Sequence, residues 1–362
     1  MQRRSFIRKA AVGSAAGSIL AAPAIVGAQP AVRWRLASSF PKSLDALYGT
    51  AEFFVKRVSD LTGGKFQISA HPAGEIVPAF QVLDAVQAGN IEIGQSAPYY
   101  YFGKDPTWAF GSAVPFGLNT RQFNAWWYQN GGEKLFNEFA AKWGVTVMLA
   151  GNTTAQMGGW VRKEIKTVED LKGLKYRIAG LAGEVLGRLG VIAQQIPGGD
   201  LYPALEKGTI DGAEWVGPYD DEKLGLYKVA KYYYYPGWWE GCAALANFVN
   251  TKAMDGLPAE YKAALISASQ EALLHMTSKF DAVNPLAIKR LIANGAQLRA
   301  FSRPILEACY KASMEVYSEL NAKNPDFKKV HDSYFGAQAD MVTWARVAEG
   351  TFDSFMATRT GK

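Results

Sequence analysis

The fold is decided by the sequence between Gln156 and Gly241, which contains QMGGWVRKEIKTVEDLKGLKYRIAG (156–180), GGDLYPALEKGTIDGAEWVGP (198–218) and YYYYPGWWEG (232–241). Short apolar runs in these segments predict β-strands, and several runs end at a charged or aromatic side chain close to glycine or proline. In open α/β sheets, small ligands bind in the loops at the ends of strands. We therefore expect a ligand site where these runs end.

The side chains at the run ends suit a negatively charged ligand. Arg177 ends one strand-like run, and Glu214 and Trp215 follow another. Glu240 follows a tryptophan pair. Because the guanidinium group of arginine is planar, it can grip a carboxylate through two parallel hydrogen bonds. The pattern predicts a site for a small carboxylate, and the glutamates suggest a cation beside it.

Each of these residues also has a purely structural interpretation. Arg177 could form a surface ion pair with Glu169 or Asp170. The two glutamates could be helix caps or surface ion-pair partners, and the tryptophans could pack in the core. Residue type alone leaves these alternatives open.

Composition and charge exclude several classes of protein. Hydrophobic residues make up 49% and charged residues 20% of the 362 residues, which is typical of a globular protein. Of the net charge of +6, the leader residues Arg3, Arg4, Arg8 and Lys9 contribute four. The remainder shows no basic stripe that would favour nucleic acid. After residue 28 no segment approaches about 18 uninterrupted apolar residues, so no membrane span is expected.

Residues 1–28 have the features of a twin-arginine signal peptide. The sequence RRSFIRK (3–9) precedes a weakly apolar stretch rich in alanine and glycine, and small residues at 26–28 mark a cleavage point before Gln29. This address predicts export of the folded protein to the periplasm.

No zinc or catalytic motif stands out. The two cysteines, Cys242 and Cys309, are far apart, and the three histidines are scattered, so their spacing fits no zinc site. There is no phosphate loop, dinucleotide-binding fingerprint or nucleophile elbow. In an oxidising compartment the cysteines either form a disulfide or remain two buried thiols, and we favour the thiols.

An alternation of strands and helices between residues 32 and 96 predicts a mostly parallel sheet. A strand at 145–150 then leads into a second α/β unit, and the run 243–249 predicts a return to the first. From Pro258 onward the pattern predicts long helices, at 259–280, 286–295, 304–321 and 341–357. The predicted fold class is α/β with a helical C-terminal region.

Three tyrosines follow the third predicted strand, at 99–101. Consecutive side chains point in different directions, so they cannot all face one site. We assign Tyr101 to the ligand site and leave open whether Tyr99 or Tyr100 reaches the ligand instead. The alternative is that all three pack on the surface beside Trp108 and Phe110.

Four motifs resemble those of the extracytoplasmic solute receptors of TRAP transporters: HPAGE (71–75), QAGNIEIG (87–94), LKGLKYR (171–177) and LEKGTIDGAE (205–214). They follow one another in the order of that family, and the resemblance covers nearly the whole chain after the leader. The resemblance implies a two-lobed fold like that of periplasmic binding proteins, with a hinge cleft and long C-terminal helices. It also implies that Arg177 clamps the carboxylate of an organic acid, which the receptor delivers to a membrane permease.

Domain boundaries follow from the pattern and the resemblance together. Residues 29–152 and about 240–280 are expected to form lobe 1, and residues 153–239 lobe 2. Residues 281–362 are expected to form a helical region that packs on both lobes. The C-terminal helices could also join two copies of the chain in a homodimer.

Trp215 stands where many members of the family carry asparagine. Together with Gln156 and Glu240 it instead resembles the branch that binds 2-oxo or 2-hydroxy monocarboxylates with a cation. The substrate-binding residues that this resemblance implies are Gln156, Arg177 and Trp215, and the strand-end position adds Tyr101. The implied cation ligands are Gln156, Glu214, Glu240 and the backbone oxygen of Trp215.

The expected cation is sodium, with calcium as the alternative, and the expected acid is pyruvate-like. A hard cation between the glutamates would remove their repulsion of the acid. A receptor for a 2-hydroxy acid such as lactate, with calcium, is a second interpretation. A periplasmic enzyme with Glu214 or Glu240 as general base, or an exported structural protein, are further alternatives.

Overall fold

Two β-sheets organise residues 31–359, the part of the chain that the computed structural model describes. Numbered along the chain, the strands of the first sheet are β1 (Val32–Ser38), β2 (Phe66–His71), β3 (Ile93–Ser96), β4 (Val145–Asn152) and β10 (Ala244–Asn250). They lie in the order β2-β1-β3-β10-β4, in which β2, β1 and β3 are parallel and β10 is antiparallel to both neighbours. We call the part built on this sheet lobe 1. The predicted signal peptide lies outside the described residues.

The second sheet supports lobe 2. Its strands are β5 (Trp160–Val161), β6 (Lys175–Arg177), β7 (Ile192–Gln194), β8 (Gly212–Ala213), β9 (Tyr232–Tyr235) and β11 (Gln297–Ala300). They lie in the order β11-β9-β5-β8-β6-β7, with β7, β6 and β8 parallel. The carboxyl ends of these three strands therefore meet at one edge of the sheet.

Twelve α-helices accompany the sheets in residues 31–359. They are α1 (Tyr48–Leu61), α2 (Val82–Gln87), α3 (Thr120–Gln129), α4 (Gly132–Ala140), α5 (Leu181–Arg188), α6 (Leu201–Glu206), α7 (Pro218–Leu224), α8 (Thr251–Asp255), α9 (Ala259–Ala293), α10 (Arg303–Lys323), α11 (Pro325–Val347) and α12 (Glu349–Ala357). None of them, within that range, combines the length and apolar character that crossing a membrane requires.

Two neighbouring chain segments connect the lobes. Strand β4 ends at Asn152 and leads into lobe 2, and β10 begins at Ala244 after the chain returns. Asn152 and Ala244 are paired in the first sheet, so the two connections leave it side by side. This agrees with the crossovers that the sequence predicts near residues 152 and 240.

Helix α9 runs unbroken through 35 residues although it contains Pro285. The sequence predicts two separate helices here, and that prediction is wrong. Proline removes one backbone hydrogen bond from a helix. However, α9 packs on β4 and α1 of lobe 1 and on α7 of lobe 2, and Asn284 accepts a hydrogen bond from the amide of Tyr219 at 3.0 Å. We attribute the unbroken helix to this packing on both sides of the proline.

The region after residue 280 is not wholly helical, contrary to the prediction, because β11 joins the second sheet beside β9. A strand of four residues is too short to show a clear period in sequence. Helix α10 contacts α5, where Arg188 donates to Glu319 at 2.7 and 2.8 Å. Helix α11 contacts α3 and α4, and the hydroxyl of its Tyr334 accepts from the amide of Leu118 at 2.8 Å. The C-terminal helices thus touch elements of both lobes.

Candidate ligand and cation site

Arg177 ends strand β6, and only 1% of its side chain surface is exposed. Its Nε donates to the carbonyl of Ile196 at 3.1 Å, and its Nη1 donates to the backbone oxygen and to Oε2 of Glu214, the latter at 3.0 Å. The ring of Trp215 lies against the guanidinium, with Cζ 4.9 Å from the ring centroid. Arg177 is therefore a buried, fixed cation and not a surface ion-pair residue.

Glu214 is placed beside Arg177 by the sheet itself. Its amide donates to the carbonyl of Arg177 at 3.0 Å, directly after the paired residues of β6 and β8. Its Oε2 accepts a hydrogen bond from Nη1 of Arg177. This nitrogen is therefore occupied, and it cannot form one of the two parallel hydrogen bonds that the sequence predicts between Arg177 and a ligand carboxylate. Burial raises the pKa of Glu214 well above its ordinary value, and the charge of Glu240 adds to the rise.

Gln156 and Glu240 face each other on the two connections between the lobes. The amide of Gln156 donates to the carbonyl of Glu240 at 3.2 Å, and the amide of Gly237 donates to the carbonyl of Gln156 at 3.1 Å. The side-chain nitrogen of Gln156 donates to Oγ1 of Thr153 at 2.8 Å, so its Oε1 points elsewhere. Burial raises the pKa of Glu240 to about 8, against the opposing charge of Arg177.

Three buried side-chain oxygens of this group accept no hydrogen bond from residues 31–359: Gln156 Oε1, Glu214 Oε1 and Glu240 Oε2. Each unpaired buried polar atom costs roughly 1–3 kcal/mol, so it needs an explanation such as a bound group. Carboxylate and amide oxygens are the donors that hard cations take. The described residues contain no cluster of three or more His, Cys, Asp or Glu suited to a metal. A cation here would therefore rest on two carboxylates completed by amide and carbonyl oxygens, and this donor set fits it.

Tyr99 and Tyr100 are buried in the short helical turn Pro98–Tyr101 that follows β3. Burial raises the pKa of Tyr99 well above its ordinary value, and the charge of Glu240 adds to the rise. Burial also raises the pKa of Tyr100, where the charge of Arg177 opposes the rise. The charges of Glu240 and Arg177 therefore influence these two tyrosines.

Tyr101, the tyrosine assigned to the site from sequence, lies elsewhere. Its hydroxyl donates to Oγ of Ser96 at 3.2 Å and accepts from the amide of Leu83 at 3.1 Å. Its ring packs edge-on against Trp108 and Phe248 in the core of lobe 1. In a turn with three residues per revolution, successive side chains point about 120° apart, which separates Tyr101 from its two neighbours. The assignment of Tyr101 is corrected accordingly.

Lobe 2 covers the two remaining tyrosines. Gly180 has a φ of +66°, and a Cβ at this position would lie 3.0 Å from Cβ of Tyr99. The side chain of Gln195 donates to the carbonyl of Tyr100 at 3.2 Å. The burial of the charged group therefore depends on contact between the lobes.

A second contact between the lobes involves Asp45, in the loop between β1 and α1. Its carboxylate accepts from the hydroxyl of Tyr219 at 3.1 and 3.2 Å and pairs with Lys223, both on α7 of lobe 2. It also accepts from Lys279 of α9 at 2.8 Å. Asp45 thus joins lobe 1 to the helix that begins three residues after Trp215.

The tryptophan pair and the cysteines have structural roles. Trp238 stacks on Phe116 with ring centroids 5.2 Å apart, and Trp239 packs edge-on against Trp238. Cys242 and Cys309 are free and buried, as favoured from sequence.

Sequence reasoning missed three residues that shape this group: Thr153, Ile196 and Gly198, the last of which lies against the ring of Trp215. Ile196 and Gly198 follow β7, which is parallel to β6, so they lie at the same edge of the sheet as Arg177. That position was a usable signal, since ligand sites form at this edge. Thr153 offered no signal, because its residue type and position are common in loops.

A family model for bacterial extracellular solute-binding proteins, family 7 (DctP), matches residues 37–324. A curated relative, the monocarboxylate 2-oxoacid-binding periplasmic protein of Nostoc sp. strain PCC 7120, is 46% identical over 363 residues, covering 99% of this chain and 100% of the relative.

Solved structures show the same similarity. A TRAP transporter solute-binding protein from Bordetella bronchiseptica RB50 is 49% identical with a TM-score of 0.90, covering 91% of this chain and 98% of that one. It is a mixed-occupancy dimer with co-purified calcium and picolinate in one active site and an apo second site. A TRAP periplasmic solute-binding protein from Pseudoalteromonas atlantica T6c, with bound sodium and pyruvate, is 38% identical with a TM-score of 0.87, covering 89% and 98%. The chain belongs to the DctP family of bacterial extracellular solute-binding proteins, the TRAP solute receptors that its motifs predict.

Proposed function

We propose that this protein is a TRAP receptor that binds a small 2-oxo monocarboxylate, such as pyruvate, together with a cation. The observation that carries the proposal is the set of unpartnered buried oxygens on Gln156, Glu214 and Glu240 beside the buried guanidinium of Arg177. Such a group offers a positive side chain for a carboxylate and oxygen donors for a hard cation in one place.

Each residue has a distinct role in this proposal. Arg177 holds the carboxylate, chiefly through Nη2, the nitrogen that its contacts with Ile196 and Glu214 do not use. Tyr99 and Tyr100 exclude water from the acid. The cation is held by Gln156 Oε1, Glu214 Oε1, Glu240 Oε2 and the backbone oxygen of Trp215. When bound, it supplies positive charge that offsets the glutamates.

The choice of cation rests on charge and on the relatives. Two glutamates and one acid carry three negative charges against one positive charge on Arg177, so a divalent ion would balance the group. With sodium, one protonated glutamate would achieve the same balance, and burial already raises the pKa of Glu214 and Glu240. Related structures contain sodium with pyruvate, calcium with pyruvate or calcium with picolinate. We propose sodium, with calcium as the alternative.

The relatives also support a ligand with a second donor atom. Pyruvate carries a keto oxygen and picolinate a ring nitrogen next to the carbon that bears the carboxylate. Either pair of donors can close a chelate ring on one cation. A 2-hydroxy acid such as lactate has an oxygen at the same position and is the nearest alternative ligand.

We propose that the receptor works in the periplasm, returns the acid unchanged and delivers it to a TRAP permease.

Exposed apolar side chains on α11 and α12 support a homodimer through these helices. They are Trp344, Val347, Phe352 and Phe355, which are 57–69% exposed. Light scattering should give twice the monomer mass for the wild type and the monomer mass for Trp344→Ser/Phe352→Ser. A wild-type monomer would contradict this part of the proposal.

The decisive experiment identifies the ligand without presupposing it. The protein is purified without added acid and denatured, and the released acid and metal are identified by mass spectrometry. Isothermal titration of the ligand-free protein with pyruvate, in sodium and in calcium, then measures affinity. Recovery of unchanged pyruvate after incubation supports a receptor, whereas conversion would favour the enzyme alternative. Absence of pyruvate binding in both salts would contradict the proposal.

A further inference from the structure

We infer that Gly198 and the side chain of Trp215 form a seat that positions the guanidinium of Arg177, and thereby set the affinity for the acid. This inference rests on the proposed function, because it takes Arg177 as the carboxylate-binding residue. It gives the indole ring of Trp215 a role separate from that of its backbone oxygen.

The loop after β7 contacts Arg177 directly through Ile196. It also contacts Trp215, whose ring lies against Arg177. The carbonyl of Ile196 accepts from Nε of Arg177 at 3.1 Å. Two residues later, Gly198 lies against the indole ring of Trp215. That ring in turn supports the guanidinium, whose Cζ is 4.9 Å from the ring centroid. A cation binds an aromatic face more strongly when both groups are shielded from water, and both Arg177 and Trp215 are buried.

Glycine is required at position 198 because a larger side chain would have no room there, and not because of the backbone conformation. A Cβ at this position would lie 2.4, 2.6 and 2.9 Å from Cη2, Cζ2 and Cζ3 of Trp215, and the φ of Gly198 lies outside the left-handed region. Contacts below about 3 Å force one of the two groups to move. The group that moves is either the loop, which carries the Ile196 carbonyl, or the ring. Both contact Arg177.

The neighbouring residue provides a matched control. Gly199 also has a φ outside the left-handed region, but a Cβ there would meet no atom within 4 Å. Gly198→Ala and Gly199→Ala therefore change the chain by the same methyl group in the same loop. Only the first change should disturb the seat.

The atoms that clash with a residue at 198 belong to the outer part of the six-membered ring of tryptophan. A phenylalanine at 215 lacks those atoms but keeps an aromatic face. Trp215→Phe should therefore relieve the clash of Gly198→Ala while the backbone oxygen of residue 215 stays in place. If Gly198→Ala/Trp215→Phe binds the acid more tightly than Gly198→Ala alone, the result supports the seat.

The experiment measures the Kd for pyruvate at saturating sodium or calcium, with thermal denaturation as a check on folding. We expect Gly198→Ala to raise Kd at least about tenfold, since small displacements of a positioning group can cost far more. We expect Gly199→Ala to stay within about twofold, and Gly198→Ala/Trp215→Phe to recover part of the loss. In an Arg177→Lys background, measured at high pyruvate concentration, Gly198→Ala should have little further effect, because no guanidinium remains to be positioned.

Equal affinities for Gly198→Ala and Gly199→Ala would overturn the inference, and so would an undiminished loss in the Arg177→Lys background. If Gly198→Ala fails to fold, Trp215→Leu replaces it, with Trp215→Phe as the conservative partner. Leucine must then weaken binding more than phenylalanine does, and equal affinities would count against the seat. A wild-type protein that binds no pyruvate would instead overturn the proposed function, and the inference with it.

Discussion

Arg177 and Glu214 form an ion pair in which Nη1 lies 3.0 Å from Oε2, and each side chain is only 1% exposed. The pair is held from the backbone as well, because the amide of Glu214 donates to the carbonyl of Arg177. One oxygen of the Glu214 carboxylate accepts a hydrogen bond from Arg177, and the other accepts none from the described residues. In the proposal, Glu214 therefore lies between the acid, which Arg177 binds, and the cation. Its Oε2 contacts Arg177, and its Oε1 binds the cation.

The first prediction separates binding from stability at this pair. Arg177→Met should abolish pyruvate binding and lower the free energy of unfolding by about 3 kcal/mol, because it leaves Glu214 buried without its partner. Adding Glu214→Gln removes the unpaired charge and should restore much of the stability without restoring binding. Calorimetric titration and chemical denaturation measure the two effects. Near-normal pyruvate affinity in Arg177→Met would show that Arg177 is not the carboxylate-binding residue.

Arg177 and Glu214 could be placed at one edge from sequence because Arg177 ends β6 and Glu214 directly follows β8, which is parallel to β6. Such ends share one edge of a sheet, so residues 37 positions apart meet there. Gln156 and Glu240 follow from the two crossovers, which the paired residues Asn152 and Ala244 bring side by side. The strand pattern and the resemblance predict that these residues lie close together, and their binding roles are the proposal made above.

Other features could not be predicted, for physical reasons that differ. The direction of the Tyr101 side chain depends on a helical turn of four residues, which residue type does not reveal. The seat for Trp215 depends on which of two adjacent glycines the ring contacts. Strand β11 forms only because β9 offers it a parallel partner far away in sequence. The last two of these features depend on tertiary contacts rather than on local pattern.

The second prediction concerns pH and Asp220, whose two carboxylate oxygens are buried without a hydrogen bond from residues 31–359. Burial raises its pKa from 3.8 to about 8, and the charge of Asp221 adds to the rise. Between about pH 4 and pH 8 the folded state therefore keeps a proton that the unfolded chain has released. The free energy of unfolding should fall as pH rises through this window, and Asp220→Asn should reduce the fall.

The adjacent residue is the control for this prediction. Asp221 accepts from Nε1 of Trp160 at 2.9 Å and from the hydroxyl of Tyr233 at 2.7 Å. Asp221→Asn should therefore destabilise the protein, whereas Asp220→Asn should stabilise it above about pH 8. Denaturation curves from pH 5 to pH 9 measure both. An unchanged pH slope in Asp220→Asn would refute the assignment.

The third prediction concerns the contact of Asp45 with Tyr219 and Lys223, which joins the lobes outside the ligand site. Asp45→Asn should weaken pyruvate binding about two- to fivefold, because a partly exposed ion pair contributes up to about 1 kcal/mol to the contact between the lobes that buries the site. Lys223→Met should have a similar effect, and the double variant should add little to either. Stopped-flow tryptophan fluorescence should show faster release of the acid.

The control for Asp45 is an ion pair of similar exposure within one lobe. Asp84 of α2 pairs with Lys104 at 2.6 Å, and both belong to lobe 1. Asp84→Asn should leave the affinity and the release rate unchanged. If Asp84→Asn and Asp45→Asn act alike, the Asp45 contact has no specific part in holding the two lobes together around the acid.

The fourth prediction concerns the chelating donor atom of the acid. Picolinate and nicotinate have the same size and charge, but only picolinate has its ring nitrogen next to the carbon that bears the carboxylate. In the presence of the cation, picolinate should bind at least about a hundredfold more tightly than nicotinate, and pyruvate more tightly than propionate. Competition titrations against pyruvate measure these ratios. Equal affinity within each pair would mean that Arg177 alone recognises the ligand.

The last prediction concerns the coupling between cation and acid. Each completes the binding site of the other, so each should raise the affinity of the other by the same factor. Pyruvate is titrated in buffer free of sodium and calcium, and then with each ion restored; we expect at least about a tenfold gain with the preferred ion. Glu240→Gln keeps a side-chain oxygen but removes a charge, so it should reduce this gain. Glu138→Gln, an exposed glutamate paired with Lys329, should leave the gain intact. If pyruvate binds equally well in all three buffers, and Glu240→Gln binds it like the wild type, no cation takes part and the unpaired oxygen of Glu240 needs another explanation.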